Sequence, residues 1–154
     1  MTEKAAKIST LCITAMTSFS SPFMISAVNI ALPAIQAEFS VHAVILSWVA
    51  TSYILATAVA LVPVGKIADI YGRKKVYIIG IVLFTVASLL CAFAKSIQLL
   101  IFLRILQGIG GAMIVTTGMA IIVSVFSIHE RGMAIGVNVA PYMLVFQPGL
   151  LSAD

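Results

Sequence analysis

Charged residues are scarce in this sequence of 154 residues, where Asp, Glu, Lys and Arg together make up 9%. A soluble domain carries about 25% charged residues, because ionic side chains cover much of a water-facing surface. Hydrophobic residues make up 62% of the chain, and they occur in long runs rather than in alternation with polar residues. These features exclude a soluble globular domain and predict an all-α membrane protein.

Cysteine is also scarce, with only Cys12 and Cys91. Their spacing indicates neither a disulfide framework nor a metal site, and we expect both to act as small buried hydrophobic residues. His42 and His129 are far apart and lie on opposite predicted faces of the membrane. No spacing typical of a nucleophile and its base, or of metal ligands, occurs. We therefore expect no enzymatic activity, no metal and no cofactor.

Acidic residues are few enough that the net charge is +4. The basic residues lie mostly at the ends of apolar runs, so membrane topology explains the excess better than nucleic-acid binding does. Lys95 falls on the predicted outer side and Arg104 inside a helix. The other basic residues fall on the predicted inner side: Lys4, Lys7, Lys66, Arg73, Lys74, Lys75 and Arg131. Because basic loops stay cytoplasmic, we expect an integral protein of the plasma membrane with a cytoplasmic N-terminus.

Four apolar runs are close to the length of about 20 residues that a helix needs to cross a bilayer core of about 30 Å. They predict helices near residues 8–32, 48–64, 76–94 and 97–126, with a weaker fifth near 132–151. We expect Pro33 to end the first helix, and Pro141 and Pro148 to break the fifth. Lys4 and Lys7 precede a run that is too long for a signal peptide, so we interpret that run as a retained helix.

A short basic segment, Gly65 to Lys75, separates the second and third helices. Its glycines, Gly65 and Gly72, permit close packing and a sharp reversal, so we predict a tight turn at the cytoplasmic face. Asp69 can pair with Arg73 or lie at the positive N-terminal end of a neighbouring helix. The segment is therefore either a loop that only sets topology or a latch between helices that move.

The pattern Gly65-x-Ile67-Ala68-Asp69-x-x-Gly72-Arg73-Lys74 resembles the motif between the second and third helices of major facilitator superfamily transporters. Ile70 stands where the family usually has a basic residue. The resemblance implies a cytoplasmic gate that helps to hold the outward-facing state, and conformational switching rather than substrate contact. The implied gate residues are Gly65, Asp69, Gly72, Arg73 and Lys74.

Arg104 lies inside the fourth apolar run, with Gln107 and Gly108 on the same helix face. An arginine there needs partners or water, unless it extends to the outer interface. The run from Leu100 to Ala112 is similar to the fourth-helix motif of drug:proton antiporters in the same superfamily. That similarity implies that Arg104 faces the cavity and takes part in proton transfer, with Gln107 and Gly108 beside it on the proton and substrate pathway.

The segment Val28 to Pro33 resembles the end of the first-helix motif of the antiporter class with fourteen helices. That motif has an aspartate four positions before the asparagine and a threonine two before it, where this chain has Ile25 and Ala27. A buried carboxylate is a natural proton carrier, so its absence leaves the coupling ion open. Asn29 is expected either on the proton and substrate pathway or in a structural bond to a neighbouring helix.

The resemblance covers most of the chain and implies a partial N-terminal half of a major facilitator fold, with four to five of the family's twelve or fourteen helices. We expect residues 1–154 to form an incomplete N-terminal transmembrane domain, truncated or frame-shifted. Three interpretations stay open: a proton-coupled multidrug efflux transporter or a piece of one, an inactive remnant, and a small membrane protein that modulates a full-length transporter. The implied partners are the lipid bilayer, protons, small cationic or amphipathic substrates, and a missing second half or another transporter chain.

Overall fold

The computed structural model describes residues 3–146, and these form five α-helices. In chain order they are α1 (Glu3–Phe39), α2 (Ala43–Tyr71), α3 (Arg73–Cys91), α4 (Ile97–Val125) and α5 (Ile128–Phe146). The residues that the structure describes contain no strand. Helices α1 to α4 are each long and apolar enough to cross a membrane. The prediction of an all-α membrane protein with four to five transmembrane helices is confirmed.

Helix α4 lies at the centre of the bundle and packs mainly against α2 and α3. A Cβ added at Gly108 would lie 2.5 Å from the carbonyl oxygen of Tyr53 in α2. A Cβ added at Gly110, on the other side of α4, would lie 2.8 Å from the backbone nitrogen of Phe84 in α3. Small residues let helices in membranes approach closely. The glycines of α4 therefore set its distance to both neighbours.

Consecutive helices run in opposite directions through the bundle. Arg73 at the start of α3 reaches Ala120 near the end of α4, whereas Ser88 near the end of α3 meets Gln107 of α4. Lys7 near the start of α1 pairs with Glu130 near the start of α5 at 3.0 Å. One end of the bundle therefore holds the starts of α1, α3 and α5, and we call it the basic end.

Two expectations about prolines are wrong. Helix α1 continues through Pro33 to Phe39, and α5 continues through Pro141 to Phe146. Pro148 lies outside the described residues. A proline is tolerated inside a membrane helix because neighbouring helices and side chains satisfy the backbone groups that it frees. Both helices are consequently longer in the described region than the proline positions indicate.

The turn between α2 and α3 is much shorter than the predicted loop from Gly65 to Lys75. Helix α2 begins at Ala43 and continues to Tyr71, so most of that segment is helical and the reversal occurs at Gly72 alone. Gly72 has a φ of 97°, which a residue with a Cβ rarely adopts. Its N–H donates to the Ala68 carbonyl at 3.0 Å. Gly65 instead lies inside α2, where an added Cβ would make ordinary contact with Thr116 of α4 at 3.6 Å.

Polar side chains lie inside this bundle, while many large apolar ones face outward. The buried polar residues include Arg104, Gln107 and Asn138, whereas Phe93 and Val62 are exposed. This arrangement suits a lipid surrounding, in which apolar surface needs no cover. Cys12 is also exposed, so the expectation that it is buried is wrong, and Cys91 is only partly buried.

Candidate functional site

An ion pair closes the α2–α3 turn at the basic end. The Oδ1 atom of Asp69 accepts from Arg73 Nη2 at 3.1 Å and from Arg73 Nε at 3.3 Å. Arg73 Nη1 also donates to the Ala120 carbonyl of α4 at 3.3 Å. The pair is exposed, so its own contribution to stability is at most about 1 kcal/mol. Its structural effect is to connect the turn to α4.

The five predicted gate residues do not all meet. Asp69, Gly72 and Arg73 form the turn and its ion pair. Lys74 instead lines, together with Arg73, a cavity of about 510 Å³ between α1, α3 and α4. Gly65 faces α4 from inside α2.

Arg104 is buried, with only 5% of its surface exposed. Its Nη1 donates to Gln107 Oε1 at 2.7 Å, and Gln107 Nε2 donates to Ser88 Oγ of α3 at 2.6 Å. Ser88 in turn donates to the Phe84 carbonyl at 2.6 Å. Arg104 therefore turns inward to a polar chain between α4 and α3.

The aromatic ring of Tyr53 in α2 lies on another side of Arg104, with its centroid 6.0 Å from the guanidinium carbon. This is the outer limit for attraction between a cation and a ring face. The Nε atom of Arg104 is buried and has no hydrogen-bond partner in the part of the chain that the structure describes. The arginine is thus held by neutral groups, and its buried Nε–H is among the donors left without an acceptor.

Two cavities share Arg104 in their walls. The larger has a volume of about 250 Å³ and lies between α1, α2, α3 and α4, with Gln107 and Ser88 also in its wall. The smaller has a volume of about 80 Å³, and Asn29, Ile25 and Tyr53 line it. Of the four predicted pathway residues, the structure therefore brings Arg104 and Gln107 together and sets Asn29 across a small cavity from Arg104.

Gly108, the fourth predicted pathway residue, lies against the backbone of α2. Thr57 of α2 donates to its carbonyl at 3.0 Å. The contact that the structure gives Gly108 is one of helix packing.

A polar cluster between α1, α3 and α5 was not predicted from the sequence. Thr17 of α1 and Tyr77 of α3 share a hydrogen bond, and Ser18 of α1 donates to Asn138 of α5. These residues line a cavity of about 140 Å³ near the basic end. Ser88 was not predicted either, although a serine inside an apolar helix often marks a hydrogen bond to another helix. The repeated Ser and Thr residues of α1 were the available signal for the cluster.

Glu130 joins the starts of α1 and α5 at the basic end. It accepts from Lys7 Nζ and from Ser127 Oγ, each at 3.0 Å. The bond from Lys7 and then that from Ser127 hold the pKa of the Glu130 carboxyl below its usual value. Glu130 therefore stays ionised to lower pH in the folded bundle than in the unfolded chain.

Comparison with known proteins identifies the family. The profile of the Major Facilitator Superfamily matches residues 14–146, which is most of the chain. The chain belongs to the Major Facilitator Superfamily. It is therefore an integral membrane protein of a transporter family, whose members are in general not enzymes.

Several curated transporters are similar to this superfamily member. It is 34% identical to the riboflavin transporter RibZ of Clostridioides difficile over 73% of its own length and 25% of that protein. It is 41% identical to the multidrug resistance protein Stp of Mycobacterium tuberculosis over 71% of its length and 21% of that protein. It is 39% identical to a probable actinorhodin transporter of Streptomyces coelicolor over 70% of its length and 19% of that protein. The chain thus spans a quarter or less of the length of these relatives.

Proposed function

We propose that this chain provides the N-terminal transmembrane domain of a proton-coupled efflux transporter for small amphipathic compounds, cationic ones included. The observation that carries the proposal is the hydrogen-bonded chain from the buried Arg104 and Gln107 to the partly buried Ser88, which lies in the wall of a cavity. Ionisable residues at membrane depth are costly and mark substrate or ion pathways. The names of the relatives support a small-molecule substrate.

We assign the basic end to the cytoplasmic side of the plasma membrane. Arg73, Lys74 and Lys75 stand at the start of α3, and Arg131 near the start of α5. Short basic connections stay on the cytoplasmic side during insertion. This assignment also puts the N-terminus in the cytoplasm.

The gate role of Gly65, Asp69, Gly72, Arg73 and Lys74 is part of the proposal. Arg73 bonds both Asp69 and the Ala120 carbonyl, so the ion pair ties the α2–α3 turn to the end of α4. The Asp69 side chain is 65% exposed and can meet a group on a further helix. Transporters of this kind move one half against the other around a central site.

Transport by this chain tests the proposal directly. The chain is reconstituted in proteoliposomes with a pH gradient, and the flux of the cationic dye ethidium is recorded. We expect flux that stops when the gradient is collapsed and that is lost in Arg104→Ala. The control Lys95→Ala removes an exposed positive charge and should transport normally. Equal flux in Arg104→Ala and the unmodified chain would contradict the role of Arg104.

A second candidate is that the chain modulates a full-length transporter. The exposure of Asp69 and Arg73, at 65% and 45% of their side chains, leaves the turn open to another chain. This candidate predicts no flux by the chain alone, together with co-purification of a full-length transporter that Asp69→Asn weakens. No flux and no such partner would favour the inactive remnant instead.

A further inference from the structure

The charge of Arg104 has no acidic partner in the part of the chain that the structure describes. Its guanidinium cannot lose its proton inside a protein, so the charge persists although the residue is 95% buried. The ion pairs of Lys7 with Glu130 and of Arg73 with Asp69 do not involve it. Its one hydrogen-bond acceptor, Gln107 Oε1, is neutral.

The cavity walls do not supply the missing charge either. Among the residues that the structure describes, no acidic one lines the two cavities that share Arg104, and Ile25 of α1 occupies the wall of the smaller one. A buried charge is expensive unless it is paired and hydrogen-bonded. Arg104 is therefore arranged to receive an anion, and its buried and unpaired Nε is a donor for one.

The volume and the lining of the larger cavity, which we call the Arg104 cavity, indicate which kind of anion fits there. Its volume is about 250 Å³, and apart from the polar edge at Arg104 its wall is mainly apolar, with Met24 and Val28 from α1 and Leu100 from α4. A dry cavity of about 150 Å³ already holds benzene. The Arg104 cavity thus offers room for a ring-sized apolar body next to a guanidinium.

We propose that the Arg104 cavity binds a small amphipathic carboxylic acid in its anionic form. The carboxylate accepts hydrogen bonds from Arg104, including the Nε donor, because the guanidinium fork matches carboxylate geometry. The apolar body lies against α1 and α4. The idea that this acid is also a transported substrate rests on the function proposed above, and it adds small organic anions to the proposed substrates. Binding itself is measurable without transport.

The test uses the arginine Nε–H signals of the purified chain. The sequence has only three arginines, Arg73, Arg104 and Arg131, so labelling with ¹⁵Nε-arginine gives three resonances for NMR in nanodiscs. Arg73 Nε is bonded to Asp69 at 3.3 Å and Arg131 Nε to the Phe126 carbonyl at 3.1 Å. These two arginines therefore serve as internal references, while the Arg104 donor is unpaired.

Sodium benzoate is the probe, with benzyl alcohol as a neutral control and benzylamine as a cationic control of similar size. We expect benzoate to shift the Arg104 resonance saturably and to leave the Arg73 and Arg131 resonances in place. The two controls should leave all three resonances unchanged. The absence of a saturable shift, or an equal shift with benzyl alcohol, would overturn the proposal. An equal shift with sodium chloride would overturn it as well, since the site would then take any small anion.

Two variants at Ile25 test benzoate binding without a change to Arg104 itself. Ile25→Asp places a carboxylate in a wall that Arg104 shares, and Ile25→Asn is its neutral match. We expect Ile25→Asp to weaken benzoate binding at least about tenfold relative to Ile25→Asn, because the new carboxylate competes for Arg104. Equal binding by the two variants would overturn the proposal. Dye flux reports separately on the proposed transport, so either result can fail without the other.

Discussion

The packing of α4 against α2 yields a quantitative prediction at Gly108. In Gly108→Ala the new Cβ would lie 2.5 Å from the Tyr53 carbonyl oxygen and 2.9 Å from the Ala56 Cβ. Neither atom can rotate away, because one belongs to the backbone and the other is fixed to it. Helices α2 and α4 therefore have to separate. Overpacking of this kind costs about 1–3 kcal/mol.

Separation of the helices also weakens a hydrogen bond between them. Thr57 Oγ1 donates to the Gly108 carbonyl at 3.0 Å. Bonds between membrane helices contribute about 0.6 kcal/mol on average. The expected loss in the free energy of unfolding is thus about 2–4 kcal/mol when both effects act.

A matched variant isolates the steric effect. Gly136 in α5 has no atom of the described residues within 4 Å of an added Cβ, so Gly136→Ala changes the same residue type without a clash. Its stability should be unchanged or slightly raised, since alanine favours helix over glycine by about 0.5–1 kcal/mol. The measurement is unfolding of the purified chain in mixed micelles by increasing SDS, followed by circular dichroism. If Gly108→Ala is as stable as Gly136→Ala, then α2 and α4 do not approach each other as closely as the contact at Gly108 indicates.

Two further predictions concern the basic end. Gly72→Ala should destabilise the bundle by about 1–2 kcal/mol because residue 72 has a φ of 97°. A clash does not contribute, since no atom of the described residues lies within 4 Å of the new Cβ. The same SDS titration measures this loss, and a variant as stable as the unmodified chain would refute the turn geometry. Folding lowers the pKa of the Glu130 carboxyl, so the ionised carboxyl stabilises the bundle fully at a pH above its pKa in the unfolded chain. This stabilisation is lost as the pH falls through the lower pKa that Glu130 has in the folded bundle. Glu130→Gln should abolish that loss of stability between neutral and acidic pH, and an unchanged pH profile would show that the pair of Glu130 with Lys7 has no effect.

The sequence allowed the class of fold to be predicted because lipid imposes one simple requirement, long apolar helices. Helix ends were harder to predict, since Pro33 and Gly65 are breakers in water but are accommodated inside helices here. At the site, the helical spacing of Arg104 and Gln107 was sufficient to put them together. Their partner Ser88 could not be predicted, because it lies on another helix and the register of α3 against α4 depends on tertiary packing.

The closest packing in the described part of the chain includes the interface between α3 and α4. Helices α3 and α4 meet through backbone at their centre, where a Cβ at Gly80 would lie 2.6 Å from Met113 Cβ and 3.2 Å from the Gly110 carbonyl oxygen. Interfaces this close do not deform continuously, because a packed core has no free volume to yield. The bond of Arg73 to Ala120 lies toward one end of this interface and that of Gln107 to Ser88 toward the other.

Helix α1 is attached differently. Between α1 and the helices α3 and α5, the hydrogen bonds run through polar side chains, as between Thr17 and Tyr77 and between Ser18 and Asn138. Side-chain bonds in membranes exchange partners at small cost. A movement of α1 against the other helices, with α3 and α4 kept together, is therefore expected to cost the least free energy. That surface also forms the apolar wall of the Arg104 cavity, so the same movement would open or close the cavity while Arg104 keeps its bond to Gln107.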